Sequence, residues 1–381
     1  MIRCFSLVTF RRFALALSLV IVWREGIRGA LPAAARAAPP LNLTAVSFVN
    51  VSHGWVAGQQ GNATHVLRTT NGGASWLNTT IDASITSLHF VDPSHGWAVG
   101  TTPACNGGRQ SPRCRSVLFG TSDGGRRWTV RLTAPAGFRF TVLAAPDPQH
   151  IWIVDVLPGN CGKCTGHLWH SANGGQSWVK SAADSPITAL QFITPTDGWM
   201  ARNDFPACGA SILVSHDGGR HWQRQLHVGG QCTILLDSVS RRAAWALTTF
   251  SPARCAMGGC DSYTLYRTSD AGAHWTAEQR PSPLYPWWGG SGFPARIAFV
   301  APSTGWIAFT PGAAAYGGGV LITRDGGRSW TRRLSQIGIP DTSLVTAREG
   351  WAIGCTTQST CSALLHTTTA GSTWRTVHPR A

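Results

Sequence analysis

The stretch Thr323-Arg324-Asp325-Gly326-Gly327-Arg328-Ser329-Trp330 contains the signal that decides the fold. Six related stretches occur along the chain: TTNGGASW ending at Trp76, TSDGGRRW at Trp128, SANGGQSW at Trp178, SHDGGRHW at Trp222, TSDAGAHW at Trp275 and TTAGSTW at Trp374. An Asp-Gly or Asn-Gly pair between an apolar run and a Trp-led run predicts a tight β-hairpin turn. The glycine three residues before the Trp is kept in all seven copies, whereas the Asp is replaced by Asn or Thr. The backbone shape of the turn therefore matters more than the carboxylate, which argues against a catalytic acid there.

A second tryptophan precedes each of these turns, usually directly after a glycine. The seven are Trp55, Trp97, Trp152, Trp199, Trp245, Trp306 and Trp351. Seven residues before four of them lies a Phe, with an aliphatic residue two positions earlier, as in Val46-x-Phe48. Such alternation predicts a half-buried strand. Each repeat therefore predicts four short strands: A carries the Phe, B begins at the first Trp, C precedes the Asp-Gly turn and D begins at the second Trp.

The repeat spacing predicts a closed ring of sheets. Successive second tryptophans lie 44 to 55 residues apart, close to the roughly 40–50 residues of a propeller blade. We therefore predict an all-β, seven-bladed β-propeller of four-stranded antiparallel blades spanning residues 39–381. The expected blades cover about residues 41–80, 84–133, 140–181, 186–227, 232–279, 294–335 and 341–378. The pattern leaves open how the first blade is joined to the last.

The first 38 residues resemble an export signal. Arg3, Arg11 and Arg12 precede the apolar run Phe13–Trp23, and a stretch of small residues follows at 33–38. These are the three regions of a secretory signal peptide, and the apolar core is shorter than the ~20 residues that span a bilayer. An uncleaved signal anchor is the alternative, because Arg24 and Glu25 make the last region charged. We predict an exported protein, located in the periplasm, on the cell surface or outside the cell.

The composition limits the classes of function. The formal net charge is +15, and only 13% of the residues are charged. A charge of this size favours attraction to anions but does not specify a partner. Nucleic acid is not expected for an exported chain, and no motif indicates a cofactor or a metal. We expect a monomer whose partner is a protein segment or a glycan.

The strand order assigns the loops to two faces. In an antiparallel meander, the A–B and C–D turns lie on one face of the ring, and the B–C and D–A loops lie on the other. The A–B turns and Asp-Gly turns are short, whereas the B–C and D–A loops are long and varied. Binding residues concentrate on such loops, so we expect a site on the B–C/D–A face.

The cysteines predict disulfide bonds on that same face. Apart from Cys4, ten cysteines remain, which in an exported chain favours a disulfide framework. The expected pairs are Cys105–Cys114, Cys161–Cys164, Cys208–Cys232, Cys255–Cys260 and Cys355–Cys361. Cys161 and Cys164 also have the spacing of a redox motif or half a metal site. A thioredoxin-like site needs a βαβ setting and a zinc site needs a second ligand pair, so the structural disulfide is preferred.

The longest D–A connection carries the candidate binding residues. It contains Tyr285, Trp287 and Trp288, and Tyr316 lies in the Gly-rich B–C loop of the neighbouring blade. Rigid aromatic side chains on loops can stack on sugars, peptides or apolar segments. The arginines expected on this face are Arg109, Arg113, Arg115, Arg202, Arg254 and Arg296. The alternatives are that the two tryptophans cap the end of the ring and that the arginines are solvated.

The S/T-x-D-x-G-x-x-W turn resembles the Asp-box, or BNR repeat, of sialidases and related propellers. The paired GW and DGG..W pattern over residues 41–378 is most similar to the photosystem II stability and assembly factor-like group. This resemblance implies that the Asp-box residues are structural and cap the C–D turns. By position they are Asn71, Asp123, Asn173, Asp217, Asp270 and Asp325. Because fold similarity does not establish function, it implies only an assembly-factor-like role.

An enzymatic alternative is a sialidase-like or other glycoside hydrolase. Most such enzymes need two carboxylates facing each other across the scissile bond. After Glu25 the chain has only Glu278 and Glu349, neither on the B–C/D–A face, and the B–C acids are Asp155, Asp204 and Asp261. No Arg-Ile-Pro motif or Tyr–Glu pair of the sialidase type is present. We therefore expect a non-catalytic binding or scaffold propeller, with no catalytic residues.

Overall fold

The computed structural model describes residues 41–61, 63–102, 115–157, 166–183, 186–204, 209–230, 233–250, 262–277, 292–311, 318–334, 337–356 and 360–379. These residues form seven four-stranded antiparallel sheets, each built from four strands in chain order. The predicted seven-bladed propeller is therefore confirmed. Within the described ranges, no helix is long and apolar enough to cross a membrane.

The strands of each blade are named A to D from the central channel outwards. Blade 1 comprises β1 (Asn42–Phe48), β2 (Gly54–Gln60), β3 (Ala63–Thr69) and β4 (Leu77–Ile81), and blade 2 comprises β5 (Ser84–Phe90), β6 (Gly96–Thr101), β7 (Ser116–Thr121) and β8 (Thr129–Thr133). Blade 3 comprises β9 (Arg139–Ala144), β10 (Ile151–Val156), β11 (Gly166–Ser171) and β12 (Val179–Ala183). Blade 4 comprises β13 (Ile187–Phe192), β14 (Gly198–Asn203), β15 (Gly209–Ser215) and β16 (Gln223–Gly229). Blade 5 comprises β17 (Thr233–Ser238), β18 (Ala244–Phe250), β19 (Ser262–Thr268) and β20 (Thr276–Ala277). Blade 6 comprises β21 (Gly292–Ala301), β22 (Thr304–Pro311), β23 (Gly319–Thr323) and β24 (Thr331–Arg333). Blade 7 comprises β25 (Thr342–Leu344), β26 (Gly350–Gly354), β27 (Ala363–Thr367) and β28 (Arg375–Val377).

The Asp-Gly turns between strands C and D repeat one hydrogen-bond pattern. In blade 2, Thr121 Oγ1 accepts the Gly125 amide at 2.9 Å, and Asp123 Oδ1 accepts the Arg127 amide at 2.9 Å. The same carboxylate oxygen accepts a hydrogen bond from the Thr121 hydroxyl. Equivalent side-chain bonds to the turn are made by Asn71, Asn173, Asp217, Asp270 and Asp325. In blade 7, Thr369 accepts the Thr373 amide instead, so a hydroxyl can replace the carboxylate in this turn.

Two consecutive residues of every such turn have positive φ angles. In blade 4 they are Gly218, at 76°, and Gly219, at 84°. Blades 5 and 7 place alanine at the first position, and Ala271 and Ala370 still adopt φ angles of 64° and 52°. A left-handed conformation costs a residue with a Cβ atom about 1–2 kcal/mol. The ring therefore imposes this turn shape even where glycine is missing.

A backbone hydrogen bond joins the two turns at the same end of each blade. The first positive-φ residue of the C–D turn donates its amide to a carbonyl of the A–B turn, at 2.7–3.1 Å. The seven pairs are Gly72–Ser52, Gly124–Ser94, Gly174–Gln149, Gly218–Thr196, Ala271–Arg242, Gly326–Ser303 and Ala370–Arg348. The predicted sharing of one face by the A–B and C–D turns is therefore confirmed.

Blades pack on one another through tryptophan and phenylalanine rings. The strand B tryptophan of one blade stacks on the strand A phenylalanine of the next, as Trp152 stacks on Phe192 with ring centroids 3.6 Å apart. The strand D tryptophan of the second blade meets the same Phe edge-on, as Trp222 does at 5.9 Å. A Cβ atom on Gly198 would lie 2.6 Å from the Phe192 ring. Glycine before the strand B tryptophan thus makes room for the phenylalanine with which it is paired in the sheet.

Polar side chains on the inner strands connect most neighbouring blades. The residue before the Phe position of strand A points to the next blade and bonds to its backbone. Ser47 Oγ accepts the Phe90 amide, Gln191 bonds to both backbone groups of Ser238, and Asp237 Oδ2 accepts the Phe299 amide. His89 Nε2 lies 2.9 Å from the Ala145 carbonyl oxygen. We call this set, together with Ser343, the inter-blade belt.

The belt also closes the ring between blades 7 and 1. Ser343 Oγ accepts the Phe48 amide at 2.8 Å, and Asp341 Oδ2 accepts the Val46 amide at 2.9 Å. The other Asp341 oxygen is 2.8 Å from Arg296 Nη1 of blade 6. Phe48 stacks on Trp351 with ring centroids 4.2 Å apart. Blades 7 and 1 are thus joined by the same kinds of side-chain contact that connect other blades.

One predicted disulfide lies at this seam. Cys355 and Cys361 are bonded, with Cα atoms 3.8 Å apart, which confirms that pair. The Cys361 carbonyl accepts the Leu43 amide of strand β1, and its own amide donates to the Asn42 side chain. The other eight paired cysteines lie outside the described residues.

Candidate functional site

A groove between blades 3 and 4 encloses a cavity of about 670 Å³. It is called the blade 3–4 groove. Blade 3 contributes Trp152, Leu168, His170 and the outer-strand residues Val179, Ser181, Ala182 and Ala183. Blade 4 contributes Ile187, Met200, Arg202, Leu213, Gly218, Gly219, Arg220, Trp222 and Arg224. The groove extends from the C–D turn of blade 4 to the beginning of its inner strand, so it is not confined to the B–C/D–A face as the sequence predicted.

A small side chain on the outer strand of blade 3 leaves this groove open. The sheet register places Leu132 of blade 2 opposite Leu118, and Leu226 of blade 4 opposite Ile212. Both leucines pack into the interface with the following blade. At the same register position, opposite Leu168, blade 3 has Ser181. Serine is shorter than the leucine that blades 2 and 4 have at this position, and this difference contributes to the open space between blades 3 and 4.

Aromatic rings form the floor of the groove. Trp152 lies between Phe192, with centroids 3.6 Å apart, and His170, with centroids 4.4 Å apart. The Trp152 indole N–H donates to the Gly218 carbonyl at 3.1 Å, which fixes the ring across the blade boundary. The Nε2 atom of His170 is buried and has no hydrogen-bond partner among the described residues. Burial, together with repulsion from His150 and Arg220, lowers the pKa of His170, so its imidazole is neutral at neutral pH.

Three arginines give the groove a positive edge. Arg220 and Arg224 are exposed, and neither forms an ion pair within the described part of the chain. Arg202 is partly buried, and its Nε atom lies 3.3 Å from Asp204 Oδ1. An exposed guanidinium can bind a carboxylate through two parallel hydrogen bonds. The groove therefore combines an apolar floor with cationic groups available to an anion.

Asp204, Ser211 and His227 form a cluster next to Arg202. Ser211 Oγ donates to Asp204 Oδ2, and His227 Nδ1 is 2.9 Å from the same oxygen. Burial opposes ionisation, but these hydrogen bonds and the charge of Arg202 lower the pKa of Asp204 below its usual value. A nucleophile triad needs the two histidine nitrogens to face the acid and the serine separately. Here the same Nδ1 atom faces both, so this cluster has no triad geometry.

Two of the predicted B–C acids are described, and one differs from the prediction. Asp155 lies within strand β10 and is fully buried, not in a B–C loop. Its oxygens accept the Trp169 indole N–H at 2.7 Å and the His167 amide at 2.9 Å, and His167 Nδ1 is 2.8 Å away. A carboxylate that is fully buried in this way is not exposed to a substrate. Asp204 follows strand β14 in the cluster above, and Asp261 lies outside the described residues.

The predicted binding residues are only partly placed. Arg202 lines the blade 3–4 groove. Arg296, which was expected on the B–C/D–A face, lies in the inner strand β21 and pairs with Asp341 across a blade boundary. Tyr285, Trp287, Trp288, Tyr316 and Arg254 lie outside the described residues. Glu349 lies in an A–B turn, as expected, and is 2.9 Å from His366.

The groove itself was missed at the sequence level, although a weak signal for it exists. Ser181 stands where blades 2 and 4 have Leu132 and Leu226. Recognising that difference requires the strand register, because the outer strands have no sequence motif of their own. Within the described ranges, no group of three or more His, Cys, Asp or Glu residues is arranged to hold a metal ion.

Solved structures with this fold include two of YCF48. YCF48 bound to D1 peptide is similar with a TM-score of 0.51 and 20% identity, over 77% of this chain and 81% of that chain. YCF48 from Cyanidioschyzon merolae gives a TM-score of 0.57 and 16% identity, over 88% of this chain and 98% of that chain. At these identities the similarity shows the propeller fold alone.

Carbohydrate-active propellers are similar to the same degree. An ancestral GH74 enzyme gives a TM-score of 0.56 and 12% identity, over 86% of this chain and 45% of that chain. A PL25 ulvan lyase gives a TM-score of 0.54 and 11% identity, over 91% of this chain and 99% of that chain. No protein-family profile and no curated protein matches the sequence. Function must therefore be argued from the chain's own residues.

Proposed function

We propose that this chain is a binding propeller that recognises an extended, acidic segment of a partner protein in the blade 3–4 groove. The observation that carries the proposal is the combination, in one open groove, of an aromatic floor with Arg220 and Arg224, which form no ion pair with any residue that the structure describes. A binding site typically has predominantly apolar walls with a few polar groups that fix orientation. The exposed lining of the groove is polar and apolar in similar measure, because the apolar floor lies beside arginine and serine side chains.

The floor supplies the apolar part of the interaction. Met200 and Leu213 lie beside the buried Trp152 ring, and the Trp222 ring stands at the turn end of the groove. Burying apolar surface gives about 25 cal/mol per Å², so one aliphatic or aromatic side chain of the segment would anchor there. Methionine adapts to different occupants because its side chain is flexible. The floor can therefore accept apolar anchor residues of different shapes.

The charges determine which segment fits. Arg220 and Arg224 lie exposed at the edge of the groove without an ion pair among the described residues, and Arg202 is only partly compensated by Asp204. The whole chain carries a formal charge of +15, which attracts anionic partners from a distance. A segment with Asp, Glu or a terminal carboxylate beside an apolar residue complements both features. A glycan without charge would use the aromatic floor but leave the arginines without partners.

The comparisons agree with a peptide-binding role, but that role is inferred from the residues of the groove. YCF48 is bound to a D1 peptide in a structure that shares this fold. That ligand belongs to YCF48, and at 20% identity it indicates only that a propeller of this architecture can hold a protein segment. An assembly-factor-like role of this chain and the Asp-box character of its turns are part of the proposal.

We also propose that the protein acts outside the cytoplasm as a monomer. The support is the leader-like sequence of residues 1–38 and the excess of cysteines, which favour an oxidising compartment. The bonded Cys355–Cys361 pair is consistent with such a compartment. Mass spectrometry of the protein from its own cells would test this: a mature chain that begins near residue 39 is expected.

A glycoside hydrolase or lyase remains the second candidate because GH74 and PL25 propellers share the fold. The described acids do not favour it. Asp155 is fully buried and accepts hydrogen bonds from the Trp169 indole and the His167 amide, and Asp204 is held by Ser211, His227 and Arg202. Hydrolysis of the usual kind requires a pair of available carboxyl groups. Turnover of a polysaccharide panel that is abolished by Asp204→Asn would favour the enzyme.

The decisive experiment closes the groove without changing its charges. Short random-sequence peptides would be selected on the wild-type protein, and their affinities measured by fluorescence anisotropy. Ser181→Leu introduces the residue that blades 2 and 4 carry, so we expect it to weaken binding about tenfold or more. Thr79→Leu, the equivalent change in blade 1, is the matched control and should leave binding unchanged. Arg224→Glu should weaken binding of the acidic peptides in particular.

Three outcomes would contradict the proposal. Selected peptides that bind Ser181→Leu as tightly as the wild type would exclude the groove. Peptides that show no enrichment in acidic residues would exclude the role of the arginines. Selection of glycans but no peptides from parallel arrays would replace the protein segment with a carbohydrate.

A further inference from the structure

A second cavity lies in the central channel, away from the blade 3–4 groove. It has a volume of about 360 Å³ and is lined by the inner strands β5, β9, β13, β17 and β21 of blades 2 to 6. All of its lining residues belong to the described ranges. We call it the channel cavity. It is large enough for a molecule of several non-hydrogen atoms but not for a folded segment.

The channel cavity contains one acidic and one basic side chain on adjacent inner strands. Asp237 is on β17 and Arg296 is on β21. They do not form an ion pair with each other in the described part of the chain: Arg296 Nη1 bonds to Asp341 Oδ1, and Asp237 Oδ2 accepts the Phe299 amide. A guanidinium has five N–H donors, so Arg296 keeps donors for a ligand. The two opposite charges are thus both available in one small space.

Neutral polar groups and apolar walls complete the cavity. Gln191 and His89 line it, and burial lowers the pKa of His89, so the imidazole is neutral. The inter-blade belt is interrupted here, because Ala144 of blade 3 offers no acceptor to the amide of Phe192 in blade 4. The remaining walls are mostly leucine and alanine. A few convergent polar groups in an otherwise apolar pocket are typical of small-molecule sites.

The titration of Asp237 agrees with a role in binding a cation. Burial raises the pKa of Asp237 to about 6, and the Phe299 amide and the charge of Arg296 only partly oppose this. The neighbouring residues therefore only partly stabilise the negative charge of ionised Asp237. An ammonium group placed beside it would stabilise the ionised form. Perturbed titratable groups with a charged neighbour in a cleft are frequent at functional sites.

We propose that the channel cavity binds a small zwitterion, with one carboxylate and one ammonium group, of the size of an aliphatic α-amino acid. The carboxylate of the ligand bonds to Arg296, its ammonium group bonds to Asp237, and its side chain packs on the leucines of the wall. A ligand with a carboxylate alone faces Asp237 without compensation. A ligand with an amine alone faces Arg296 in the same way.

Isothermal titration calorimetry of the full chain tests this with L-leucine and two truncated probes. The probes are 4-methylpentanoate, which lacks the amine, and 3-methylbutylamine, which lacks the carboxylate. L-leucine is expected to bind at least about tenfold more tightly than either probe. Titrations near pH 6 in two buffers of different ionisation enthalpy should show that binding of leucine releases protons, because the ammonium group favours ionised Asp237.

Three variants separate the site from a general effect on the ring. Asp237→Asn keeps an acceptor for the Phe299 amide, so it should abolish the preference for leucine over 4-methylpentanoate while the protein stays folded. Ala295→Trp fills the cavity with both charges intact and should abolish binding of all probes. Ser343→Ala removes a belt bond between blades 7 and 1, outside the cavity, and should leave leucine binding unchanged.

The proposal is overturned by either of two results. One is the absence of heat for every standard amino acid at concentrations up to about 10 mM, where even weak sites are filled. The other is leucine binding that is the same in Ala295→Trp as in the wild type, which would place the ligand elsewhere.

Discussion

The Phe90 ring lies flat on Trp55 of the preceding blade, with centroids 3.6 Å apart and ring planes 2° from parallel. Gly96 makes this contact possible, because a Cβ atom there would overlap the Phe90 ring. The pairing recurs with Phe48–Gly54, Phe192–Gly198 and Phe299–Gly305. Where the phenylalanine position holds serine in blade 5, the glycine position holds Ala244 instead. The two positions therefore depend on each other.

This dependence predicts the result of a double-mutant cycle. Gly96→Ala should destabilise the protein by roughly 2–3 kcal/mol, because an added methyl group in a packed core forces the ring to move. In the Phe90→Ala background the same change should cost much less, so the coupling energy should exceed about 1 kcal/mol. Denaturant unfolding of the four proteins measures it. Additive effects would show that Gly96 is kept for another reason.

Ala271 offers a simple stabilising change. Its φ angle of 64° is unfavourable for alanine. Ala271→Gly relieves about 1–2 kcal/mol of backbone strain and loses about 0.4–1 kcal/mol through the greater freedom of glycine in the unfolded chain. We expect a net gain of roughly 0.5–1 kcal/mol, measured by thermal or denaturant unfolding. The reverse change Gly218→Ala, at the same turn position in blade 4, should destabilise by a similar amount. Equal stabilities would mean that the turn relaxes around alanine.

Asp237 should make the protein less stable as the pH rises, whereas most carboxylates in folded proteins have the opposite effect. Burial raises its pKa from 3.8 to about 6. The stability that this group contributes is therefore fully present below pH 3.8 and is lost as the pH rises towards 6. Asp237→Asn stays neutral and keeps an acceptor for the Phe299 amide, so at pH 7 it should be more stable than the wild type by up to about 3 kcal/mol. The difference should shrink towards pH 4.

A matched control for this effect is Asp197, whose pKa shifts the other way. Burial opposes its ionisation, but hydrogen bonds from His216, Thr194 and Thr196 and the charge of Arg241 lower its pKa to about 2. The stability it contributes is present above pH 3.8 and is lost as the pH falls towards 2. Asp197→Asn should therefore destabilise at pH 7. Unfolding midpoints measured from about pH 2 to pH 8 for both variants test the signs, and two parallel pH profiles would contradict them.

The Cys355–Cys361 disulfide should act locally at the seam of the ring. Its loop is short, with a sequence separation of 6, so its loss should cost only about 2 kcal/mol by the loop-entropy relation. The Leu43 amide of blade 1 bonds to the Cys361 carbonyl. In the double Cys→Ser variant, hydrogen exchange at Leu43 should accelerate more than at residues in the middle of blade 4. Uniform acceleration in all blades would show that the seam opens only with global unfolding.

The inter-blade belt shows where prediction from sequence stops. Ser47, His89, Gln191 and Asp237 each precede the Phe position of an inner strand, and a polar residue there looks like ordinary strand alternation. Only the ring shows that these side chains reach the next blade's backbone. Arg296 illustrates the same limit, because no pattern in the sequence indicates that it pairs with Asp341 across a blade boundary.

The sequence by itself determined the number of blades, the strand order within each blade and the shape of every Asp-Gly turn. These features depend on local chemistry: turn residues, alternation along a strand and a repeat of nearly constant length. The tertiary structure decided how the ring closes, which interface stays open and which charges share the central channel. These features depend on contacts between residues far apart in the chain, such as Val46 and Asp341, which are 295 residues apart. No local pattern specifies such a contact, because it exists only once seven similar blades have been arranged in a circle.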